Sequence, residues 1–467
     1  MRFSLGIIAG IVAAAAACAL LAGVTVWGHF IPTDNAATDY ASAVIMAALI
    51  GAGISLWPFP REEKSDLLLL WLLRCGTTLG FMLLYENNYG LDAYAYFADA
   101  REPSYDWASL GFGRGTENIG AIVWYLNHLI PLPDSFHALK VVFSFFGFIA
   151  VYIFYSSLVY YLGSRPRWLL LALGGFPSLI FWSSILGKDP VILFGISVYC
   201  AGMLRYLRSG SIVPFLFALG GALGASAIRP WTAVILTIPT VVAFTLRYRN
   251  WPLRIVGLVM GGYAMVQSAQ IVADRFLVVG VDDLVKKANL ISKAWGVGGS
   301  AQAIPDFYNV SEMLSFAPAG MFTALFRPLP GEVNNMFGIL AGLENGVLLF
   351  LVLSGIYRAR WRAWLDPAVV WALATLFSWS LVYGFVSSQN LGSAFRFRLQ
   401  VLPLLLSLAL YLRYFGGKYH ARKTPVNGEG LGANHLIRES FFDKPSPVLA
   451  TGKGFRGVIQ QPLDGSR

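Results

Sequence analysis

Apolar runs long enough to cross a bilayer recur along the chain, each closed by a short polar break. They fall at about 5–29, 41–58, 66–85, 138–162, 168–187, 190–204, 212–228, 231–246, 253–272, 338–356, 365–386 and 399–414. A spanning helix needs roughly 20 apolar residues, so this pattern predicts an all-α polytopic membrane protein of about twelve transmembrane helices. Two stretches do not fit a span, residues 86–137 and 273–337, and they read as large loops. The first carries an amphipathic piece, "IGAIVWYLNHLI", suited to lying along an interface. The second begins with a helix-like "VDDLVKKANLISKAWG" and ends in "LFRPLPGEVNN". Residues 1–414 then form a membrane bundle. Residues 415–467, rich in Gly, Pro and Ser, are expected to be a disordered tail.

Composition agrees with the pattern. Of 467 residues 56% are hydrophobic and only 13% charged, with mean hydropathy +0.60. A soluble chain carries roughly 25% charged residues. The first run is too long for the core of a signal peptide, which predicts an uncleaved first helix. The net charge of +10 is better explained by topology than by nucleic acid. With the N-terminus in the cytoplasm, the short cytoplasmic connections and Arg2 hold 13 Lys and Arg, and the tail from Arg413 adds nine. The opposite side holds eleven. The positive-inside rule therefore places both termini in the cytoplasm and both large loops outside. Cys18, Cys75 and Cys200 lie inside apolar runs without metal-ligand spacing and read as packing residues.

The outer side collects ionisable residues against that same rule. In "SSILGKDPVIL", Gly187 ends one helix and Pro190 favours the start of the next, with Asp189 as a candidate N-cap. Lys188 beside it is either a snorkelling anchor or an anion ligand. Arg229 in "AIRPW" follows the same logic. Arg327 precedes two prolines, Glu332 follows it, and Glu344 sits inside the next span, where an acid should pair with a cation. Arg396 and Arg398, two apart, point to different faces of a helix, one toward a cavity and one toward headgroups. Arginine suits phosphate because its planar fork donates two parallel hydrogen bonds. Asp92 and Asp99 are seven apart in "YGLDAYAYFADARE", among aromatic residues. Carboxylates with rings suit sugar recognition, although an ordinary interfacial loop has the same composition. No Walker loop, HExxH, GxSxG or Cys/His cluster occurs.

The order of these pieces, the "D-x-Y" loop, "FPSLIFWSSILGKD", "RP" at a turn, "LFRP…E…LEN" and "N-x-G-x-A-x-R-x-R", resembles bacterial multi-spanning enzymes of surface-polysaccharide assembly. These are the Wzy-like and EpsG-like repeat-unit polymerases and, more broadly, the GT-C glycosyltransferases. The resemblance covers about residues 86–405. It implies a GT-C-like bundle in the bacterial cytoplasmic (inner) membrane and glycosyl transfer from a polyprenyl phosphate or diphosphate sugar, as in joining the repeat units of an exopolysaccharide or O-antigen. It also implies membrane lipids and other polysaccharide-assembly proteins as partners, with no nucleic acid. On that expectation Asp92 is the base, with Asp99 and Glu332 as alternatives. Arg327 with Arg396 or Arg398, helped by Lys188 and Arg229, holds the phosphates, and Asp189 and Glu344 support the cations. No cofactor or metal site is predicted. The loop lacks a D-x-D pair, though a divalent metal stays open. A secondary transporter or flippase for a lipid-linked or anionic substrate is the alternative, and it would place its site at the midplane.

Overall fold

A computed structural model describes residues 35–89, 92–101, 110–129 and 134–415, apart from 249, 279, 297 and 305, together with Gly23 and Thr33. The chain divides into two units, Met1–Val426 and Asn427–Arg467, and every described residue belongs to the first. The first expected span, apart from Gly23, and the tail beyond Phe415 lie outside the described residues.

All regular structure among the described residues is helical, with one isolated antiparallel bridge between Ala301 and Asn390. In chain order the helices are α1 (Ala36–Leu56), α2 (Arg61–Asn88), α3 (Asp92–Asp99), α4 (Gly115–Leu129), α5 (Phe136–Leu162), α6 (Arg167–Gly174), α7 (Pro177–Trp182), α8 (Lys188–Ser209) and α9 (Ile212–Ile228). They continue as α10 (Trp231–Arg247), α11 (Trp251–Phe276), α12 (Val281–Trp295), α13 (Val310–Phe326), α14 (Met336–Arg358), α15 (Pro367–Ser387), α16 (Leu391–Phe397) and α17 (Leu402–Tyr414).

Seven of these are long and apolar enough to cross a membrane: α1, α2, α5, α8, α11, α14 and α15. The segment 391–414 counts as an eighth if its two halves, bent by 72°, form one span. Three apolar helices, α9, α10 and α13, are shorter, at 17 residues each. The described residues thus give seven or eight spans by length and composition. The expected span at 168–187 is not one helix. Gly175 caps α6, and Pro177 opens the six-residue α7, which ends before Lys188. The stretch 273–337 is largely helical, because α12 and α13 lie within it.

The core is built around α8, which packs on α5 and α9. Tyr199, Met203 and Tyr206 of α8 are fully buried. The pair α8/α9 crosses closely: a Cβ on Gly221 would stand 2.6 Å from Gly195 O. By contrast α11 packs on α10 and exposes Leu258, Val259, Met260 and Tyr263, as a helix facing lipid should.

Charges inside the bundle are paired or bonded, as the cost of an unpaired ion in a low dielectric requires. Lys140 of α5 donates to both oxygens of Glu86 of α2, at 2.8 and 2.9 Å. Arg74 of α2, wholly buried, donates to Ser183 Oγ at 2.6 Å and to the Ser144 carbonyl at 3.3 Å. Glu344 of α14 pairs with Arg398 at 3.4 Å and accepts from both the backbone N–H and the hydroxyl of Ser178. Glu344 therefore caps the start of α7 from a distant helix, which fixes the broken segment in place.

Within α2 the residues Thr77–Phe81 form a π-helical turn. Such a turn accommodates one surplus residue and rotates the halves of a helix relative to each other. Here it aligns Leu73, Thr77, Phe81, Tyr85 and Tyr89 along one wall of a cavity.

Candidate functional site

The site forms at the end of the bundle where α8 begins and α9 ends. Gly187 is the N-cap of α8 and makes no side-chain cap bond. Asp189 is not the N-cap that its position before Pro190 predicts. Its carboxylate, 1% exposed, turns inward and accepts from two arginines, Arg396 Nε at 2.5 Å and Arg229 Nη2 at 3.2 Å. One buried carboxylate between two guanidiniums leaves the group with surplus positive charge. Arg229 lies over the Phe397 ring at 4.4 Å, and Arg396 over the Trp182 ring at 5.5 Å, so both cations are also held by aromatic faces.

A second layer holds Arg229 from behind. Tyr383 Oη receives Arg229 Nη1 at 3.2 Å, Trp231 Nε1 at 3.0 Å and Gln400 Nε2 at 2.8 Å. Trp379 Nε1, which can only donate, bonds Gln400 Oε1 at 3.1 Å and so sets which way that amide points. These residues sit in apolar runs and carry no motif, so the sequence gives no sign of them.

Lys188 is half-buried. Its ammonium donates to Thr116 Oγ1 at 3.0 Å and lies 5.8 Å from the Tyr96 ring centroid. Among the described residues no carboxylate is within ion-pair distance of it, although Asp92, Asp189 and Glu117 act on it electrostatically. The contact to Thr116 depends on docking of the α4 start. Asn118 Nδ2 donates to Ala227 O at 2.8 Å and Gly113 N to the same oxygen at 3.0 Å. At Gly115 only glycine fits, because a Cβ would stand 2.3 Å from Ile228 O. These bonds seat α4 on the turn that carries Arg229.

Asp92 opens α3, is exposed, and lies within electrostatic range of Lys188 and Arg396. Tyr96, one turn later, is buried. Burial raises its phenol above the ordinary value, and Asp92 pushes the same way, so it remains a neutral hydrogen-bonding group. The structure therefore brings Asp92, Lys188, Asp189, Arg229 and Arg396 together. Asp99 stands exposed at the far end of α3.

Three expected members lie elsewhere. Arg327 and Glu332 pair with each other at 2.7 Å, and Glu332 also accepts from Leu329 N at 2.6 Å. Each Glu332 oxygen thus accepts one hydrogen bond within the 327–332 turn. Arg327 also donates to Gln302 Oε1 at 3.1 Å. Arg398 is neither a headgroup anchor nor a member of the Asp189 group. It is completely buried, held by Glu344 and by the Leu325 carbonyl at 3.0 Å.

A cavity of about 830 Å³ opens beside Trp182 and Phe395; Arg396 lies over the Trp182 ring without itself lining the cavity, and the Glu344 carboxylate is part of its wall. Its upper wall is aromatic, with Tyr85, Phe181, Trp182, Phe337 and Phe395. Its lower wall is aliphatic, down to Leu73, Leu351 and Leu410. From Asn335 to Leu351 the α14 wall runs about 24 Å at 1.5 Å per residue. Leu343 and Val347, more than half exposed, mark a lateral opening toward lipid. Pro328, Val333 and Ser300 form the rim on the Arg327 side. Trp182 Nε1 is buried with no hydrogen-bond partner among the described residues. Among the described residues no three His, Cys, Asp or Glu side chains are arranged to hold a metal ion. No family model matches the chain, and no curated protein or solved structure matches it.

Proposed function

We propose that this protein is a bacterial membrane glycosyltransferase that takes its sugar from a polyprenyl phosphate or diphosphate carrier. It works at the outer face of the cytoplasmic membrane and joins the repeat units of a surface polysaccharide. The observation that carries the reading is the shape of the large cavity. An apolar channel about 24 Å long, open sideways to lipid, has Trp182 in its wall, and Arg396 lies over that ring with surplus positive charge around it. A hydrocarbon chain suits the channel and a phosphate suits its head.

In this reading the carrier phosphate meets Arg396, with Arg229 behind it. Asp189 fixes the two guanidiniums at one spacing. The free Trp182 N–H supplies a further donor at the head of the channel. The hydroxyl oxygen of the acceptor sugar attacks the anomeric carbon of the donor. The bond from that carbon to the phosphate oxygen breaks, and the electron pair leaves with the carrier phosphate. The acceptor proton passes to Asp92, the exposed carboxylate of the group, and from there to water. Fixed cations on the departing oxyanion lower the barrier by electrostatic stabilisation. Arg327 stays with Glu332 on the opposite rim, so the phosphate contact falls mainly to Arg396.

The test is chromosomal deletion, complemented with wild type, Asp92→Asn and Arg396→Ala. Deletion should abolish long surface glycan while single units accumulate on the carrier outside the membrane. Both variants should insert normally and fail to restore chain length. Wild-type chain length from both variants, or accumulation of carrier-linked units on the cytoplasmic side as a transport defect gives, overturns the reading.

A further inference from the structure

Helix α11 is held to the rest of the protein along a single stripe. Of the seven spans it alone has no buried residue among those described. It packs on α10. Gly257, Gly261, Met265, Ser268 and Val272 are half-buried and follow at intervals of four, four, three and four, one face of the helix. A Cβ on Gly257 would collide with Phe244 of α10, and one on Gly261 with Val241, so this is the face against α10.

A second row runs along the uncovered side. Ile255, Val259, Gly262, Val266, Ala269 and Ala273 follow at intervals of four, three, four, three and four. This is the 3.5-residue repeat with which two helices wind around each other. At 100° per residue the row is centred about 120° round the axis from the α10 face. The first five of these residues are exposed and Ala273 is half-buried. A Cβ on Gly262 would meet nothing within 4 Å.

Lipid asks only for apolar side chains. It imposes neither a 3.5-residue repeat nor small residues. In this row β-branched Val259 and Val266 alternate with small Gly262 and Ala269. Small residues let helix backbones approach in a bilayer, where association depends on close packing rather than on hydrophobic force. Tyr263 and Gln270, seven apart, flank the row and are exposed. Gln270 stands about 28 Å along the axis from Trp251, inside a hydrocarbon core roughly 30 Å thick. A polar side chain so placed is characteristic of a helix contact rather than of a lipid face.

We propose that this row pairs α11 in parallel with α11 of a second copy of the chain, forming a two-fold dimer in the membrane. The symmetry of the row selects the occupant. Two copies inserted the same way are related by an axis along the membrane normal, so their α11 helices run parallel at equal depth. Each position of the row then meets its own copy, and β-branched residues at every seventh position suit two parallel strands. The inference stands apart from the proposed activity. No residue of α10 or α11 lines the large cavity, so the pairing neither builds nor alters it.

The experiment is disulfide scanning of the full chain in native membranes. Single cysteines replace Ile255, Val259, Gly262, Val266, Ala269 and Ala273 in turn, and as controls the exposed Met260, Ala264, Gln267 and Ile271 on the remaining face. Oxidation by copper phenanthroline is followed by non-reducing electrophoresis and mass measurement. The chain with only its native Cys18, Cys75 and Cys200 is the blank. The row should give a product of twice the chain mass, and the controls only the level of the blank. Gly262→Trp, added to Val259→Cys, should lower that product about tenfold or more, the effect of overpacking a close contact. Gly220→Trp on α9, where a Cβ likewise meets nothing within 4 Å, should leave it unchanged.

Equal product at all ten positions marks chance collision and overturns the pairing. Absence of product at every position overturns it too, as does indifference of the Val259→Cys product to Gly262→Trp. A cross-link from the row to Cys18 within one chain, mapped by digestion, overturns it in favour of the chain's own N-terminal segment. A product of any other mass shows that a different protein covers the row.

Discussion

Replacing Asp189 by Asn removes one negative charge and almost no volume. The carboxylate is 1% exposed and is the only ion-pair partner of both Arg229 and Arg396 among the described residues. The Arg229 side chain is 8% exposed and that of Arg396 22%, so water cannot compensate fully for the loss. Removing one partner of a buried ion pair typically costs about 3–5 kcal/mol. At 1.4 kcal/mol per decade that is roughly a 10²–10⁴-fold fall in the ratio of folded to unfolded protein. The assay is thermal unfolding of purified protein in detergent, with and without millimolar inorganic phosphate. Asp189→Asn should unfold several degrees lower, and phosphate should restore more of the loss than it adds to wild type, because an anion can occupy the vacated charge. Asp189→Asn/Arg396→Gln, with one charge of each sign removed, should recover part of the stability, with a coupling of about 0.5–3 kcal/mol between the two positions. Unchanged unfolding of Asp189→Asn, indifferent to phosphate and uncoupled to Arg396, would refute the account of a charge-balanced buried group.

Glu344→Gln leaves Arg398 buried without an anion and weakens the cap on α7; the expected loss is again about 3–5 kcal/mol, read as a lower unfolding temperature, and an unchanged temperature would sink the capping argument. Lys140→Met should strand Glu86 and lower folded yield sharply, whereas Lys140→Met/Glu86→Leu should return most of it, since a well-packed apolar pair replaces a buried ion pair at little cost. If the double variant is as poor as the single, the pair does more than balance charge. Gly115→Ala must push α4 away from Ile228, so amides of residues 113–118, 229, 231 and 232 should exchange with deuterium faster than in wild type; equal exchange would show that α4 does not brace the turn.

Much of the bundle was legible because hydropathy reports burial in lipid directly. The seven long apolar helices each overlap an apolar run of the sequence. What hydropathy does not report is continuity. The run 168–187 is as apolar as its neighbours, yet "GGFPS" breaks it at Gly175 and Pro177, and the break is held by Glu344 from 166 residues away. Helix α13 shows the converse. With Glu312 in its first turn only Met313–Phe326 is free of charge, so its stretch reads as loop, whereas α9 and α10, of the same 17 residues, read as spans. Within the site, charge against the topological bias singled out Lys188, Asp189, Arg229 and Arg396. It could not tell Arg396 from Arg398, because a two-residue offset fixes that they diverge but not which one meets Asp189 and which Glu344. Tyr383, Gln400 and Trp231 were silent for a different reason. Their role exists only through partners brought close by the fold, such as Arg229, 154 positions from Tyr383.

The π-helical turn at Thr77–Phe81 places a counting rule on the chain. Upstream of it Arg74 faces the serines of α5 and of the segment after α7. Downstream, Glu86 faces Lys140 while Tyr85 and Tyr89 face the cavity. The turn absorbs one residue beyond an ordinary helix, so deleting one residue within it would leave an α-helix whose two halves keep their facing. Holding the present number of residues in an ordinary helix would instead swing the downstream half through about 100°, and the ion pair and the aromatic wall would fail together. A further inserted residue, with no second turn to absorb it, has the same effect. The tolerance of α2 is therefore lopsided: one residue can be lost at the turn, and none gained.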